Sequence, residues 1–475
     1  MTFTYVESAR YVKIKQNCKS SVMSLELLKR LETYAVERPE HIAIRMDDVT
    51  LTYETLWQHV QKESKTLPAN MTCQNVMLTH TQTADFIVAY LAVLVRQGVP
   101  CVLGPQWSME QRDALIKLHR IPYIWRDDGL RSTLYESSHK APTIPQCLHI
   151  GFTSGTTGLP KGFIRDLPSW IASFEVNDTL LDASTQTYMA LGPYAHSLTL
   201  YVLIYALWNG KTFIGQDRYN MAKGLSYVAE LQQTCALFLV PTMVYDGIHL
   251  GQRSQWVRHI FISGDKLPPR RHTQLQTVFP ESTIDEFFGT SEASFISVNR
   301  HQTAPLDSVG RLFPNVTVTL RERDDTGIGQ LFVKSPMTFS GYLGEDAVNE
   351  WIATGDYARI ENDVLYLQGR VQDRLIIGGK NVYPAVIEQH LKQWPEIVDA
   401  VIVRRPHDKL GELAIALYIG QEQLDIQAVR HWLSSRVSRY EIPSKFIRVA
   451  SLPYTASGKV SRKMAQTCYE RGDFQ

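Results

Sequence analysis

The sequence predicts an α/β protein: a large N-terminal domain of α/β sheets with a small β-rich subdomain, followed by a small α+β C-terminal domain. Three observations predict it. Helical and strand-like apolar stretches alternate as far as about residue 310, the pattern of a largely parallel sheet. After Val309 the texture changes to short strand-like runs separated by Asp, Gly and Asn turns. Beyond Arg370 comes a compact mixture of helical and strand-like segments about 100 residues long, an ordinary domain size. A chain of 475 residues is too long for one ordinary domain. The boundary is expected near 369–373, giving an N-terminal domain over 1–369, its β-rich part at about 310–369, and a mobile C-terminal domain over 370–475.

Taken in order, Ser24 is a candidate N-cap, and Leu27, Leu28, Leu31, Tyr34 and Ala35 follow at helical spacing until Pro39 stops the run. Residues 42–44 read as a strand, and Thr52 opens a second helix to about residue 64. The apolar run 86–95 followed by 99–103 continues the alternation. Past Val309, residues 316–320, 329–333 and 364–367 are short strands. In the last domain 383–393 and 426–437 are helical, while 400–403 and 414–418 are strands.

Composition excludes some functions. Hydrophobic residues make up 44% and charged residues 20%, the range of a globular protein with a sizeable core. A net charge of +1 gives no basic face for nucleic acid, and the runs at 270–272 and 404–405 are short enough to be solvated surface. The six cysteines are scattered, with no knuckle or redox pair, which fits a reducing cytoplasm. No secretory leader is visible, and the most apolar run, 86–95, is about half the length a transmembrane helix needs.

The chemistry is concentrated between a strand at 148–152 and a return strand at 163–164. The connecting stretch reads Thr153-Ser154-Gly155-Thr156-Thr157-Gly158-Leu159-Pro160-Lys161-Gly162. Glycines let the backbone turn and point N–H groups inward, and hydroxyls and one ammonium join them, so the loop suits a polyphosphate. It is not a Walker A loop, because Gly162 follows Lys161 where Ser or Thr would hold magnesium. The metal ligand must come from elsewhere.

This stretch resembles the phosphate loop of the adenylate-forming superfamily, which includes acyl-CoA synthetases, peptide-synthetase adenylation domains and luciferases. Further motifs follow in that family's order: Phe288-Gly289-Thr290-Ser291-Glu292, Thr354-Gly355-Asp356, Gly369-Arg370 with Asp373, and Lys459 after Ser457-Gly458. Ser291 stands in the family's Thr place. The resemblance implies a cofactor and substrate set of ATP, Mg2+ and coenzyme A. It implies that Phe288 stacks on adenine, that Ser291 donates to the α-phosphate, and that Glu292 is the metal ligand. It further implies that Asp356 accepts from the ribose hydroxyls with Arg370 assisting, that Lys161 holds the outer phosphates, and that Lys459 bridges the attacking carboxylate and α-phosphate. Gly378 and Gly379, in the run 376–384, would line a pantetheine tunnel, since a thin thiol arm needs close backbone approach.

By the same resemblance, 191–197 is the segment that lines or gates the acyl pocket, with Tyr194 and with His196 in a catalytic position. Amino-acid-activating relatives carry an Asp in this region to pair with the substrate ammonium. This chain has Ser197 after the gate position, so an amino-acid substrate would bury an unpaired charge. The apolar segment 198–207 suggests a fatty or other apolar carboxylic acid. Asp265 and Lys266 depart from the family's Ser-Gly-Gly-Ala, and Gln372 stands where the hinge residue is usually Asp or Lys. The expected activity is an acid-thiol ligase: acyl-adenylate formation with release of pyrophosphate, then transfer to coenzyme A. Loading of a carrier-protein phosphopantetheine is the alternative acceptor reaction, and an inactive nucleotide-binding regulatory protein is the alternative from another class. A homodimer and an acyl-carrier protein are left open as partners.

Overall fold

The computed structural model describes residues 26–69, 71–81, 83–104, 107–133, 135, 147–153, 161–345, 350–454 and 460–474. The first helix, Glu26–Glu37, buries Leu27, Leu28, Leu31, Tyr34 and Ala35, the five residues its spacing points inward. Ser24, its expected cap, lies outside the described residues. The second helix, Tyr53–Thr66, starts where Thr52 and Thr55 exchange side-chain and backbone hydrogen bonds, which satisfies two otherwise orphan N–H groups.

Two large sheets and one small one carry the chain. In the largest, six neighbouring strands run parallel from Thr283–Thr290 through Val257–Ile262, Cys235–Leu239, Thr187–Ala190 and Thr212–Gly215 to Ile42–Met46. The second sheet has a parallel centre, Cys147–Thr153, Val99–Val102, Asn75–Leu78 and Tyr123–Arg126. Helices cover both, as parallel strands require. Ala84–Val95 is buried over nearly its whole circumference, which explains an apolar run with no polar face.

The β-rich segment differs from a free-standing subdomain. Its strands Thr317–Arg321, Gly329–Lys334, Ile352–Glu361 and Val364–Arg370 extend the largest sheet, joined through Arg311–Leu312 to Ser294–Arg300. Its short strand Gly341–Tyr342 crosses to the second sheet and pairs with Lys161–Asp166.

After Arg370 a single turn, Val371–Asp373, leads to the small sheet, whose long hairpin is Ile397–His407 with Gly411–Gly420. The helices Pro384–Leu391 and Ile426–Ser434 pack on it through Ile387, Leu391, Val429 and Leu433. Arg462 ties this unit together by bonding to Glu388 and to Asp373. Residues from Asp373 onward are thus fastened to the small domain, whereas Arg370 is still paired in the large sheet. Among the described residues, no helix is long and apolar enough to cross a membrane.

Candidate active site

The loop-bearing hairpin forms as its flanks predict. Cys147–Thr153 and Lys161–Asp166 run antiparallel, with Thr153 opposite Lys161 at the mouth. Residues 154–160, with Ser154, Gly155, Thr156, Thr157 and Gly158, lie outside the described residues, as does Lys459. Gly162 is a strand residue with a packing role. A Cβ there would meet Ile150, Phe152 and Leu343 at 3.2–3.3 Å.

The segment 337–345 gathers the candidate phosphate site. Tyr342 donates to Glu292 Oε1 at 2.9 Å. The Lys161 ammonium lies 4.9 Å from the centre of the Tyr342 ring and 2.9 Å from Glu345 Oε1. Lys161 and Glu292 therefore contact the same tyrosine, although 131 positions separate them in the chain. Burial, then the neighbouring Glu292 and Glu345 carboxylates, push the Tyr342 hydroxyl well above its ordinary pKa, so it remains a donor.

Arg165, which the sequence reading passed over, locks this arrangement. Its side chain is buried, and its guanidinium donates to the Ser291 carbonyl at 2.7 Å and the Met337 carbonyl at 2.6 Å. Burial lowers its pKa to about 10, partly offset by Asp166 and Glu292, so it is a cation at neutral pH. The one signal available in sequence was a charged residue inside an otherwise apolar strand, Phe163-Ile164-Arg165.

The strand Thr283–Thr290 delivers Phe288, half-buried against the core, and ends in the turn holding Ser291 and Glu292. Gly289 sits at a bulge where a Cβ would lie 2.1 Å from the Ser294 carbonyl oxygen, so only glycine fits. The Thr290 hydroxyl oxygen accepts from the Ala293 N–H at 2.9 Å. The Ser291 and Ser197 hydroxyls are 2.8 Å apart, which joins the 288–292 motif to the segment 191–197.

His196 occupies the N-cap position of the helix Ser197–Trp208. Tyr194, expected to line the acyl pocket, is instead a core residue. It is buried, stacks on Phe86 at 4.6 Å and bonds to the Met46 sulfur. The helix Ser197–Trp208 is buried from Thr199 onward, so packing accounts for its apolar run.

Asp356 and Arg370 face each other across paired strands, with Arg370 Nε 3.3 Å from Asp356 Oδ1. A second guanidinium nitrogen of Arg370 donates to the Thr354 carbonyl at 3.0 Å. The pair thus holds a buried carboxylate within the sheet, beside Gly355, a strand residue with positive φ. The Lys266 ammonium pairs with Glu286 at 3.0 Å, while the Lys266 backbone N–H donates to Asp265 Oδ1 at 2.8 Å. Burial opposes the charge of Lys392, but Asp399 at 2.8 Å, with Glu388 and Asp265, outweighs it and raises its pKa.

Gly378 and Gly379 both adopt positive φ, as the two-residue hairpin between Leu375–Ile377 and Lys380–Val382 requires. They border a groove of about 600 Å³ that is also lined by Arg374, Arg404, Lys409 and Glu412. Arg404 is paired with Glu412 at 3.2 Å and also donates to the Gln372 carbonyl.

Comparison with known proteins identifies the family and the fold. The AMP-binding enzyme family matches residues 125–343, and the AMP-binding enzyme C-terminal domain matches residues 386–459. A Staphylococcus haemolyticus protein provisionally named long chain fatty acid-CoA ligase VraA is 44% identical over 460 residues, covering 95% of this chain and 100% of its own. A Bacillus subtilis acyl-CoA ligase, YhfT, itself uncharacterized, is 30% identical, with 74% of each chain aligned. In structure, the o-succinylbenzoate CoA synthetase MenE of Bacillus subtilis superposes with a TM-score of 0.80 at 20% identity, over 92% of this chain and 97% of MenE. The chain belongs to the AMP-binding enzyme family and so to the adenylate-forming superfamily that contains the acyl-CoA synthetases.

Proposed function

We propose that the chain is an AMP-forming acyl-CoA ligase acting on a fatty or similarly apolar carboxylic acid. The observation that carries this reading is the shared contact of Lys161 and Glu292 with Tyr342, at the mouth of the hydroxyl-rich hairpin. An ammonium and a carboxylate that meet there match a triphosphate and its cation.

In the first half-reaction a carboxylate oxygen of the acid attacks the α-phosphorus of ATP. The bond to the bridging oxygen breaks and pyrophosphate leaves. Both reactants are anions, so orientation and charge neutralisation do most of the work. Lys161 holds the outer phosphates, Ser291 donates to the α-phosphate, and Lys459 bridges the reacting oxygens. Asp356 accepts from the ribose with Arg370 fixing its carboxylate, and Phe288 supplies the face against adenine. Glu292 is the hard oxygen ligand for Mg2+, which supplies charge neutralisation on the phosphates when bound. In the second half-reaction the thiol of coenzyme A loses its proton, its sulfur attacks the acyl carbonyl, and AMP leaves. The basic groove beside Gly378 and Gly379 suits the phosphates of coenzyme A. The apolar acid is supported by the names of the relatives and by Ser197, which offers no counter-charge to an ammonium.

A panel of carboxylic acids of graded chain length, given with ATP, Mg2+ and coenzyme A, tests the reading. Pyrophosphate release and an acyl-CoA product by mass spectrometry are expected for apolar acids. Adenylate without thioester would transfer the acceptor role to a carrier protein, and no pyrophosphate exchange with any acid would leave a nucleotide-binding regulator.

The turn Val371–Asp373 is the proposed hinge between the half-reactions. Proline at 372 suits the dihedrals of such a turn but resists their change. Gln372→Pro is therefore expected to keep pyrophosphate exchange and lose most acyl-CoA formation. Normal thioester synthesis by this variant would move the hinge elsewhere.

A further inference from the structure

The segment 337–345 is fastened at several points to two regions far away in the chain. Ser340 N–H donates to the Ile164 carbonyl at 3.0 Å, and Leu343 N–H donates to the Gly162 carbonyl at 2.7 Å. Gly341 and Tyr342 pair with Ile164 and Phe163, and Phe339 N–H donates to the Glu292 carbonyl at 2.7 Å. A strap held this way sets its side chains against both the Lys161 arm and the Glu292 turn. The side chains it presents there are Tyr342, on Glu292, and Glu345, on Lys161.

The Lys161–Glu345 pair has the character of a displaceable contact. Its atoms are 2.9 Å apart, yet the side chains are 49% and 51% exposed. Exposed ion pairs are weak, because water competes for both partners. A polyphosphate carries more negative charge than one carboxylate and can offer several oxygens to the same ammonium. The Tyr342–Glu292 bond is of another kind. The hydroxyl takes one carboxylate oxygen, which fixes the plane of the carboxylate as a hydrogen-bonded neighbour fixes a metal-binding group.

We propose that Glu345 stands in for a nucleotide phosphate at Lys161 until ATP displaces it, while Tyr342 is a positioning residue that aims Glu292 at the cation. The proposal rests on the assignment of Lys161 and Glu292 to the phosphate site. It predicts opposite effects for two neighbouring residues of one strap. Loss of the Glu345 charge removes a competitor, and ATP binds more tightly. Loss of the Tyr342 hydroxyl frees the Glu292 carboxylate to rotate, and only the magnesium-dependent part of binding suffers.

Calorimetric titration of ATP into the intact protein, with no acid present, tests this with and without Mg2+. Glu345→Gln is expected to tighten ATP binding about two- to fivefold in both conditions, the scale of an exposed ion pair. The gain should vanish when Lys161→Ala is added. Tyr342→Phe is expected to weaken binding about three- to tenfold in Mg2+, the net scale of one ordinary hydrogen bond, and to leave binding in EDTA unchanged. Unchanged or weaker binding by Glu345→Gln overturns the stand-in role. Equal losses with and without Mg2+ in Tyr342→Phe overturn the positioning role. Wild-type affinity in Lys161→Ala would instead remove the underlying assignment of Lys161. Both strap substitutions keep side-chain size, and melting temperatures measured alongside identify a variant whose fold has changed.

Discussion

Lys459→Ala is expected to lower adenylate formation by about 10²–10³, the loss seen when one transition-state donor is removed. Pyrophosphate exchange measures it directly. The reason is electrostatic: two anions must meet at the α-phosphorus, and a single ammonium between them offsets repulsion that increases as they approach. The second half-reaction has no such meeting, because the thiolate attacks an acyl group already activated. Thioester formation from synthetic acyl-AMP should therefore continue at close to the normal rate. Equal losses in both half-reactions would show that the lysine serves stability or binding in general.

The second large effect is expected at a residue that touches no substrate. Arg165→Met keeps much of the volume but leaves the Ser291 and Met337 carbonyls without the buried cation that now donates to both. Each unsatisfied buried acceptor costs about 1–3 kcal/mol. The loss should be about 2–4 kcal/mol of stability, read from the denaturant midpoint, because removing the buried charge also removes its desolvation cost. Below that unfolding transition, ATP affinity should fall about tenfold or more, since the turn bearing Glu292 loses its direct tie to the hairpin and is then held to it through the strap at 337–345. Arg165→Lys should recover only part of either quantity, since an ammonium cannot reproduce the fork that reaches two carbonyls. A fully stable Arg165→Met protein with normal ATP affinity would remove this clamp from the account.

What the sequence made legible was local. Apolar residues at helical spacing identified the buried face of Glu26–Glu37, and two strands flanking a hydroxyl-rich stretch identified the hairpin. The Thr354-Gly355-Asp356 and Gly369-Arg370 motifs are close in the chain, and strand pairing brings them together. What stayed hidden depends on contacts between distant segments. Nothing near Arg165 announces that its partners lie 126 and 172 residues away. The strap at 337–345 has no unusual composition, and its role arises from pairing with a strand more than 170 residues earlier. Tyr194 followed the opposite course: a motif suggested a pocket, but the side chain packs on Phe86, a contact that burial decides and spacing does not. The apolar helix after it carried the same ambiguity, because a core-facing and a pocket-facing run look alike in one dimension.

The crowding at Gly289 has a practical corollary for anyone who would retarget this enzyme to another nucleotide. The obstacle beside it is a main-chain oxygen, so no choice of rotamer and no compensating side-chain swap nearby can create room. Combinatorial libraries over the strand Thr283–Thr290 should hold 289 constant and vary 288, the position proposed to meet the adenine, where the peptide trace beneath the side chain can stay as it is.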